Sequence, residues 1–357
     1  MRYENVCLET IACTLPDEIV SSDDIERQLE PLYRRLRLPE GRLELMTGIR
    51  QRRFWPPGML CGVQSAATAE KAIRATGIDR GRIGALVHGS VCRDFVEPAT
   101  ACGVHHRLGL SCDCAVYDVS NACLGLLSGA IQVANMIELG QIEAGLVVGT
   151  ENGRRLVEST LQYLNTDVSL TRQSIKNAFA SLTIGSGSAA MLLCHRRISR
   201  TGNRLLGGVI HAATDHCELC QGGQGEASSQ EGGPLLLMQT DSETLMREGV
   251  AAAQRAFGAF LAEIVWSASD IQKTFCHQVG RAHRRLLFDS LGLDTALDYS
   301  TFETLGNTGS TALPMTMALG IENGRLQSGD HVAMLGIGSG INVVMLGVDW
   351  RSAVPVT

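Results

Sequence analysis

Cys123 stands between the apolar run AVYDVS (115–120) and the helical pattern NACLGLLSGAIQVANMIELG, where a strand hands over to the first turn of a helix. At such a junction unpaired N–H groups and the helix dipole favour a thiolate. A thiolate can take an acyl group from a thioester and hold it as another thioester of similar energy, the first half of a two-step acyl transfer. A buried cysteine is more often inert packing, so the assignment rests on its partners. His277, in CHQVGRAH, and Asn307, in LGNTGSTALP, both follow segments that end strands of a parallel sheet, and both would face the same crevice. A neutral imidazole and an amide are donors that stabilise an enolate oxygen without protonating it. The backbone N–H of Cys123, with one from the glycine turn around Gly338, would hold the oxyanion formed at the acyl carbonyl. The chemistry these groups suit is carbon–carbon bond formation between thioesters.

The elements that position them read as an alternating α/β chain. The strand-like run EAGLVVGTE (143–151) follows the Cys123 helix. Alanine-rich helical patterns precede IGALVHGS (83–90) and TFCHQVG (274–280), each through an acidic turn, at Ile78-Asp79 and Asp270-Ile271. IGSGSAAMLL (184–193) and IGSGINVVML (337–346) echo one another. Helix, turn and strand thus recur in the same order, which points to a duplicated fold with a buried, mostly parallel sheet. We divide the chain into halves at 1–200 and 201–357. The polar stretch 152–183 is too long for an ordinary connection and is expected to be an insertion covering a site.

Bulk properties exclude several classes. The chain has 357 residues, 45% of them hydrophobic, with 39 glycines and only 4% aromatics, which fits a large α/β core better than a β-sandwich or a base-stacking platform. A net charge of -6 leaves no footprint for nucleic acid. No run reaches the length of a membrane span, so stable membrane insertion is not expected. The N-terminus, MRYENVCLETIACTLPDEIV, does not read as a signal peptide, and the twelve scattered cysteines are expected to be reduced, in the cytoplasm. Cys217 and Cys220, with His211 and His216 nearby, have a metal-like local spacing but lack a second pair, so no metal is expected; TDHCELCQGGQ reads instead as a loop near the acyl pocket.

Taken together, DVSNACLG, HQVG, GNTGSTALP, the final glycine turn and TGIRQRR (47–53) resemble the ketoacyl synthase III branch of the thiolase superfamily, in that family's order from about residue 5 to 350. The resemblance implies a five-layered αβαβα homodimer in which Cys123 is acylated and His277 and Asn307 form the donor pair. It implies a fatty acyl-CoA or acyl-carrier-protein thioester as substrate, with no further cofactor. Two departures from the starter synthases, Gly280 in place of their usual Asn and Glu97 before Pro98 in RDFVEPATA, look like the head-to-head condensing enzymes of long-chain olefin biosynthesis, the OleA type. In that group the matching glutamate comes from the partner subunit and is proposed to remove the α-proton of the second acyl chain. A malonyl donor makes its carbanion by losing CO₂, whereas an ordinary acyl-CoA needs such a base. The alternative is a starter-type synthase condensing acyl-CoA with malonyl-carrier protein, in which Glu97 is a helix N-terminal carboxylate with Pro98 at the first helical position.

Among the cations, Arg50, Arg281 and Arg284 are candidates for the CoA phosphates, together with the rest of RQRR (50–53) and Arg285. The tryptophan that stacks on adenine in starter synthases has no equivalent before Thr47. A papain-like protease shares Cys, His and Asn, but its cysteine signature differs and a parallel sheet does not suit it. A non-catalytic assembly subunit is disfavoured because all three polar residues are present.

Overall fold

The computed structural model describes residues 1–224 and 236–354. The first half runs β1 (Val6–Thr14), α1 (Cys61–Thr76), β2 (Ile83–His88), α2 (Thr100–Leu108), β3 (Ala115–Asp118), α3 (Gly125–Glu138), β4 (Ala144–Glu151) and β5 (Gly187–His195). The second runs β6 (Arg204–Ala212), α4 (Ser242–Ile264), β7 (Lys273–Cys276), α5 (Arg281–Leu291), α6 (Ala312–Glu322), β8 (His331–Gly338) and β9 (Asn342–Asp349). Strand order across the sheet is β7-β8-β9-β6-β1-β5-β4-β2-β3.

Within each half the pairing repeats. β1 and β5, then β5 and β4, are antiparallel, and β4–β2 and β2–β3 are parallel. β6–β9 and β9–β8 are antiparallel, and β8–β7 is parallel. The halves join where Cys7 of β1 pairs with Arg204 of β6. The two IGSG echoes lead into β5 and β9, and the two helix–turn–strand echoes are α1–β2 and α4–β7. The duplication expected from the sequence is therefore a repeat of strand position as well as of sequence.

Layering follows from strands that are apolar on both faces. In β4, Val147 joins the central core while Leu146 and Val148 pack outward against Ala66, Ala69 and Ile73 of α1 and Val104 of α2. In β8, Met334 faces the centre, and Ala333 and Leu335 pack outward against Phe260 of α4 and Phe288 of α5. α3 and α6 occupy the middle, with Leu127, Ala130, Ile131 and Ala134 from one and Leu313, Met315 and Met317 from the other. Outer helices, one half of the sheet, central helices, the other half of the sheet and outer helices make the αβαβα stack.

The close entry of α3 depends on a missing side chain. A Cβ at Gly125 would lie 2.5 Å from the carbonyl oxygen of Gly89, just after β2. The Leu124-Gly125 pair behind Cys123 therefore lets the start of α3 press onto the end of β2, which fixes where the cysteine stands.

The stretch 152–183 is largely helical, with helices at Arg154–Thr166 and Lys176–Phe179. Val157, Leu161 and Leu164 bury one face of the first helix against Ile25, Leu29 and Leu32 from the region before α1. No described helix is long and apolar enough to cross a membrane.

Candidate active site

Cys123 occupies a short 3-10 turn, Ala122–Leu124, between β3 and α3. Ala122 has φ 44, a left-handed conformation that a residue with a Cβ adopts only under constraint, and this turn sets the direction in which Cys123 leaves the backbone. The turn packs against β8 and against the 3-10 turn Gly309–Thr311 that follows Asn307. A Cβ built on Gly338 would stand 3.6 Å from the Cβ of Cys123, so the end of β8 lies directly beside the nucleophile candidate.

His277 continues from β7, and its N–H donates to the carbonyl of Leu335 in β8 at 3.1 Å. Asn307 is fixed by its backbone: its N–H donates to Thr183 at 2.9 Å and its carbonyl accepts from Gly185 at 2.8 Å. The first IGSG turn (184–187) is thus the cradle of Asn307, while the second lies beside Cys123. Cys123, His277, Asn307 and Gly338 line one cavity of about 1670 Å³. This exceeds the ~300–1,000 Å³ of most small-ligand pockets and leaves room for long apolar chains. Leu43, Met46, Leu156, Phe179, Leu237, Met238 and Met246 supply apolar wall.

Electrostatics alter one expectation. The Cys123 thiol is pushed up to about 12, first by burial, then by the negative charge of Glu151 and by Cys220. The N–H groups of Ser339 and of Cys123 itself pull the other way without matching those effects. The sequence reading expected a thiolate at a helix N-terminus; α3 proper begins two residues later, at Gly125. Burial and the Glu151 charge thus favour the thiol over the thiolate in the resting protein. The backbone donor from the glycine turn that reaches it is that of Ser339, next to Gly338.

His277 is depressed to about 3 by burial and, secondarily, by His283. His283, which also lines the cavity, is depressed by burial to about 4. Both rings are neutral near pH 7, and Nδ1 of His277 has no hydrogen-bond partner among the described residues. A neutral ring is what an enolate donor requires.

The arginine expectations divide. Arg281 lines the cavity. Arg284 does not: its Nε donates to the buried Asp298 at 2.6 Å and its Nη2 to the carbonyl of Thr295 at 2.7 Å, so its guanidinium is turned to that pair and away from the cavity. Arg50 lies outside the cavity lining, 3.7 Å from Glu303, and Arg285 pairs with Asp289 on an exposed helix face. Arg52 is wholly buried, with Nη1 donating to Ser22 Oγ at 3.2 Å, and burial lowers it to about 10. RQRR is therefore mainly a structural signature. Sequence reasoning missed Arg42, Arg172, Lys176 and Arg247, which line the cavity with Arg281. They come from three segments, with Arg172 and Lys176 both in the 152–183 stretch, and form no run, so only the fold assembles them.

Glu97 lies outside the cavity lining, exposed on the loop between β2 and α2. The sequence alternative made it the cap of α2, but that helix begins at Thr100, and Pro98 precedes even the capping residue Ala99. Val91, Phe95 and Val96 on the same loop are also exposed, Val96 at 96%. Gly280 has a positive φ of 156, and a Cβ there would stand 3.0 Å from the carbonyl oxygen of Thr47. The asparagine of starter synthases could not enter without moving that backbone. Of the metal-like cysteines, Cys217 is exposed whereas Cys220 lines the cavity, as does Gly222, at the start of a strand Cys220–Gln224.

Comparison with known proteins fits this geometry. Residues 64–183, which hold Cys123, match the thiolase N-terminal domain. Residues 261–350, which hold His277 and Asn307, match the C-terminal part of 3-oxoacyl-[acyl-carrier-protein] synthase III. The chain is 42% identical over 356 residues to the acyl-CoA:acyl-CoA alkyltransferase of Shewanella oneidensis, covering 98% of this chain and 100% of that one. It belongs to the acyl-CoA:acyl-CoA alkyltransferase family. A second member, from Xanthomonas campestris, is 34% identical over 350 residues, covering 98% of this chain and all of the relative. The cerulenin-bound crystal structure of Xanthomonas OleA superposes with a TM-score of 0.92, at 34% identity and 98% coverage of both chains. A cysteine-to-serine variant of that protein, with bound lauric acid and lauroyl-CoA, superposes at 0.91, with 33% identity, over 98% of this chain and 100% of that one. The chain is thus a condensing acyltransferase of the thiolase fold.

Proposed function

We propose that the protein joins two fatty acyl-CoA molecules head to head without decarboxylation. The Cys123 sulfur attacks the first thioester, the acyl group passes to it, and the CoA sulfur leaves with the thiol proton. The N–H groups of Cys123 and Ser339, which face the sulfur, are assigned to receive the carbonyl oxygen as it gains charge. A second acyl-CoA then enters, and Glu97 of a partner subunit removes a proton from its α-carbon. Neutral His277 and the amide of Asn307 hold the enolate oxygen. The carbanion attacks the acyl-Cys123 carbonyl, forming the carbon–carbon bond and releasing the cysteine sulfur, which takes back a proton. The product is a 2-alkyl-3-ketoacyl-CoA, and its hydrolysis gives the 2-alkyl-3-ketoacid and CoA.

The observation that carries this reading past a generic condensing enzyme is Glu97, a carboxylate that does not cap the adjacent helix and stands on an exposed apolar loop. That loop, through Val91, Phe95 and Val96, is assigned to contact with a second copy of the chain, which would bring Glu97 to the neighbouring cavity. Arg281, with Arg42 and Lys176, which line the cavity, is assigned to the CoA phosphates.

Purified protein given one long-chain acyl-CoA, with and without malonyl-carrier protein, tests the assignment by product mass spectrometry. A 2-alkyl-3-ketoacid, or the ketone left after loss of CO₂, is expected from acyl-CoA alone. Product only in the presence of the malonyl donor would replace the head-to-head reading with the starter-type one.

A further inference from the structure

Glu151 ends β4, is 5% exposed, and lines the cavity that holds Cys123. One of its oxygens, Oε1, accepts three hydrogen bonds: from Val91 N–H at 3.1 Å, from Ser310 Oγ at 2.5 Å and from Ser310 N–H at 3.3 Å. Val91 begins the loop that leads to Glu97, and Ser310 lies in the turn that follows Asn307. The residues on either side of Glu151 grip the first loop as well. Ser90 Oγ donates to the Thr150 carbonyl at 2.8 Å, and Asn152 N–H donates to Cys92 Sγ at 3.3 Å. Farther along, Asp94 accepts from the N–H of Gly62 at the head of α1 at 3.0 Å. On the second loop, Gly309 lies so close that an added Cβ would stand 3.3 Å from Cγ and Cδ of Glu151. A single buried carboxylate oxygen therefore joins two loops that belong to different halves of the fold.

We propose that Glu151 is a positioning residue, whose carboxylate holds the Glu97-bearing loop and the Asn307-bearing loop at a fixed separation around Cys123. The inference rests on reading Cys123 as the acylated nucleophile. Its charge has a second effect, because it opposes ionisation of the neighbouring thiol. The thiol and the acyl thioester are both neutral, so the charge acts only against the free thiolate. A purely structural bridge would hold the loops without acting on the sulfur.

Two variants separate reach from charge. Glu151→Gln keeps the side-chain length and an acceptor oxygen but removes the charge, and Glu151→Asp keeps the charge but shortens the reach. The readouts are the pH dependence of Cys123 alkylation by iodoacetamide, followed by peptide mass spectrometry, and the condensation rate with long-chain acyl-CoA. Glu151→Gln is expected to move the alkylation profile of Cys123 to lower pH, because the charge that opposes ionisation is gone. Glu151→Asp is expected to keep the wild-type midpoint and to condense at least about tenfold more slowly, while still forming the acyl-enzyme. An alkylation profile of Glu151→Gln that superimposes on wild type, or wild-type condensation by Glu151→Asp, overturns the proposal. Alkylation needs no substrate, so it tests the contact between Glu151 and the thiol separately from the nucleophile reading, which replacement of Cys123 tests.

Discussion

The carboxylate of Asp118, at the end of β3, accepts the N–H of Thr100, the first residue of α2, at 2.9 Å, and its other oxygen accepts Ala101 at the same distance. The first two amides of that helix are thereby satisfied from the end of a neighbouring strand. Glu97, three residues upstream of Thr100, is left without a capping duty.

That division of labour predicts how Glu97 variants fail. Glu97→Ala and Glu97→Gln are expected to leave folding and formation of acyl-Cys123 intact and to lower condensation by roughly 10²–10⁴-fold, the range for loss of a general base. If Glu97 acts across a subunit boundary, a Glu97→Ala subunit and a Cys123→Ala subunit each fail alone. Mixed dimers recover activity, because one of their two sites has both groups. Intact-mass detection of the acyl-enzyme and a mixing assay check the two halves of this prediction. Full condensation by Glu97→Ala would remove Glu97 from the reaction.

Replacing Cys123 tests the first step. Cys123→Ala is expected to show no acyl adduct on exposure to acyl-CoA and no product above background. His277→Asn and Asn307→Ala are expected to acylate but to condense about 10²–10³-fold more slowly, since they remove donors to the second oxyanion. An acyl adduct on the Cys123→Ala protein would relocate the nucleophile.

How much of this was legible in the sequence depends on whether neighbours in space were neighbours in the chain. Cys123, with Leu124-Gly125 after it and a strand before it, carried its own local context, and so did the IGSG echoes that lead into β5 and β9. The duplication was legible because each half had to build the same buried strands. The state of the Cys123 thiol was not, because Glu151 and Cys220 approach it from distant segments and the cavity that desolvates it is a property of the packed whole. Arg284 misled for a related reason. It shares HQVGRAHRR with Arg281, yet successive turns of α5 send one to the cavity and the other to Asp298. The cation set Arg42, Arg172, Lys176 and Arg247 left no run in the sequence at all.

The two arginines therefore give separable predictions. Arg281→Ala is expected to raise KM for acyl-CoA several-fold, with little change in thermal stability. Arg284→Ala removes the partner of buried Asp298, whose carboxyl burial already raises to about 6, and is expected to lower stability by less than the ~3–5 kcal/mol of a fully buried pair, because the carboxyl can take up a proton. Thermal unfolding and steady-state kinetics on the same two proteins check both. A raised KM in Arg284→Ala with unchanged stability would restore the phosphate role that its contacts deny it.

The histidines set a pH dependence whose sign can be worked out. His277 and His283 have folded-state values of about 3 and 4, below the ordinary 6.5 of an unfolded histidine. Between about pH 4 and 6.5 the unfolded chain therefore binds more protons than the folded one, so these groups make stability rise with pH in that window. Above about 6.5 both states are neutral and their contribution is flat. Denaturant unfolding at pH 4.5, 5.5 and 7 is expected to show stability falling toward acid, and His283→Asn is expected to flatten that slope. The same depression implies that condensation kinetics show no ionisation of His277 between pH 5 and 9. An acid limb near 6.5 that vanished in His277→Asn would mean the ring is charged and solvated in the working enzyme. A charged imidazole would hand its proton to the enolate instead of holding it, and the donor role would have to pass to Asn307 alone.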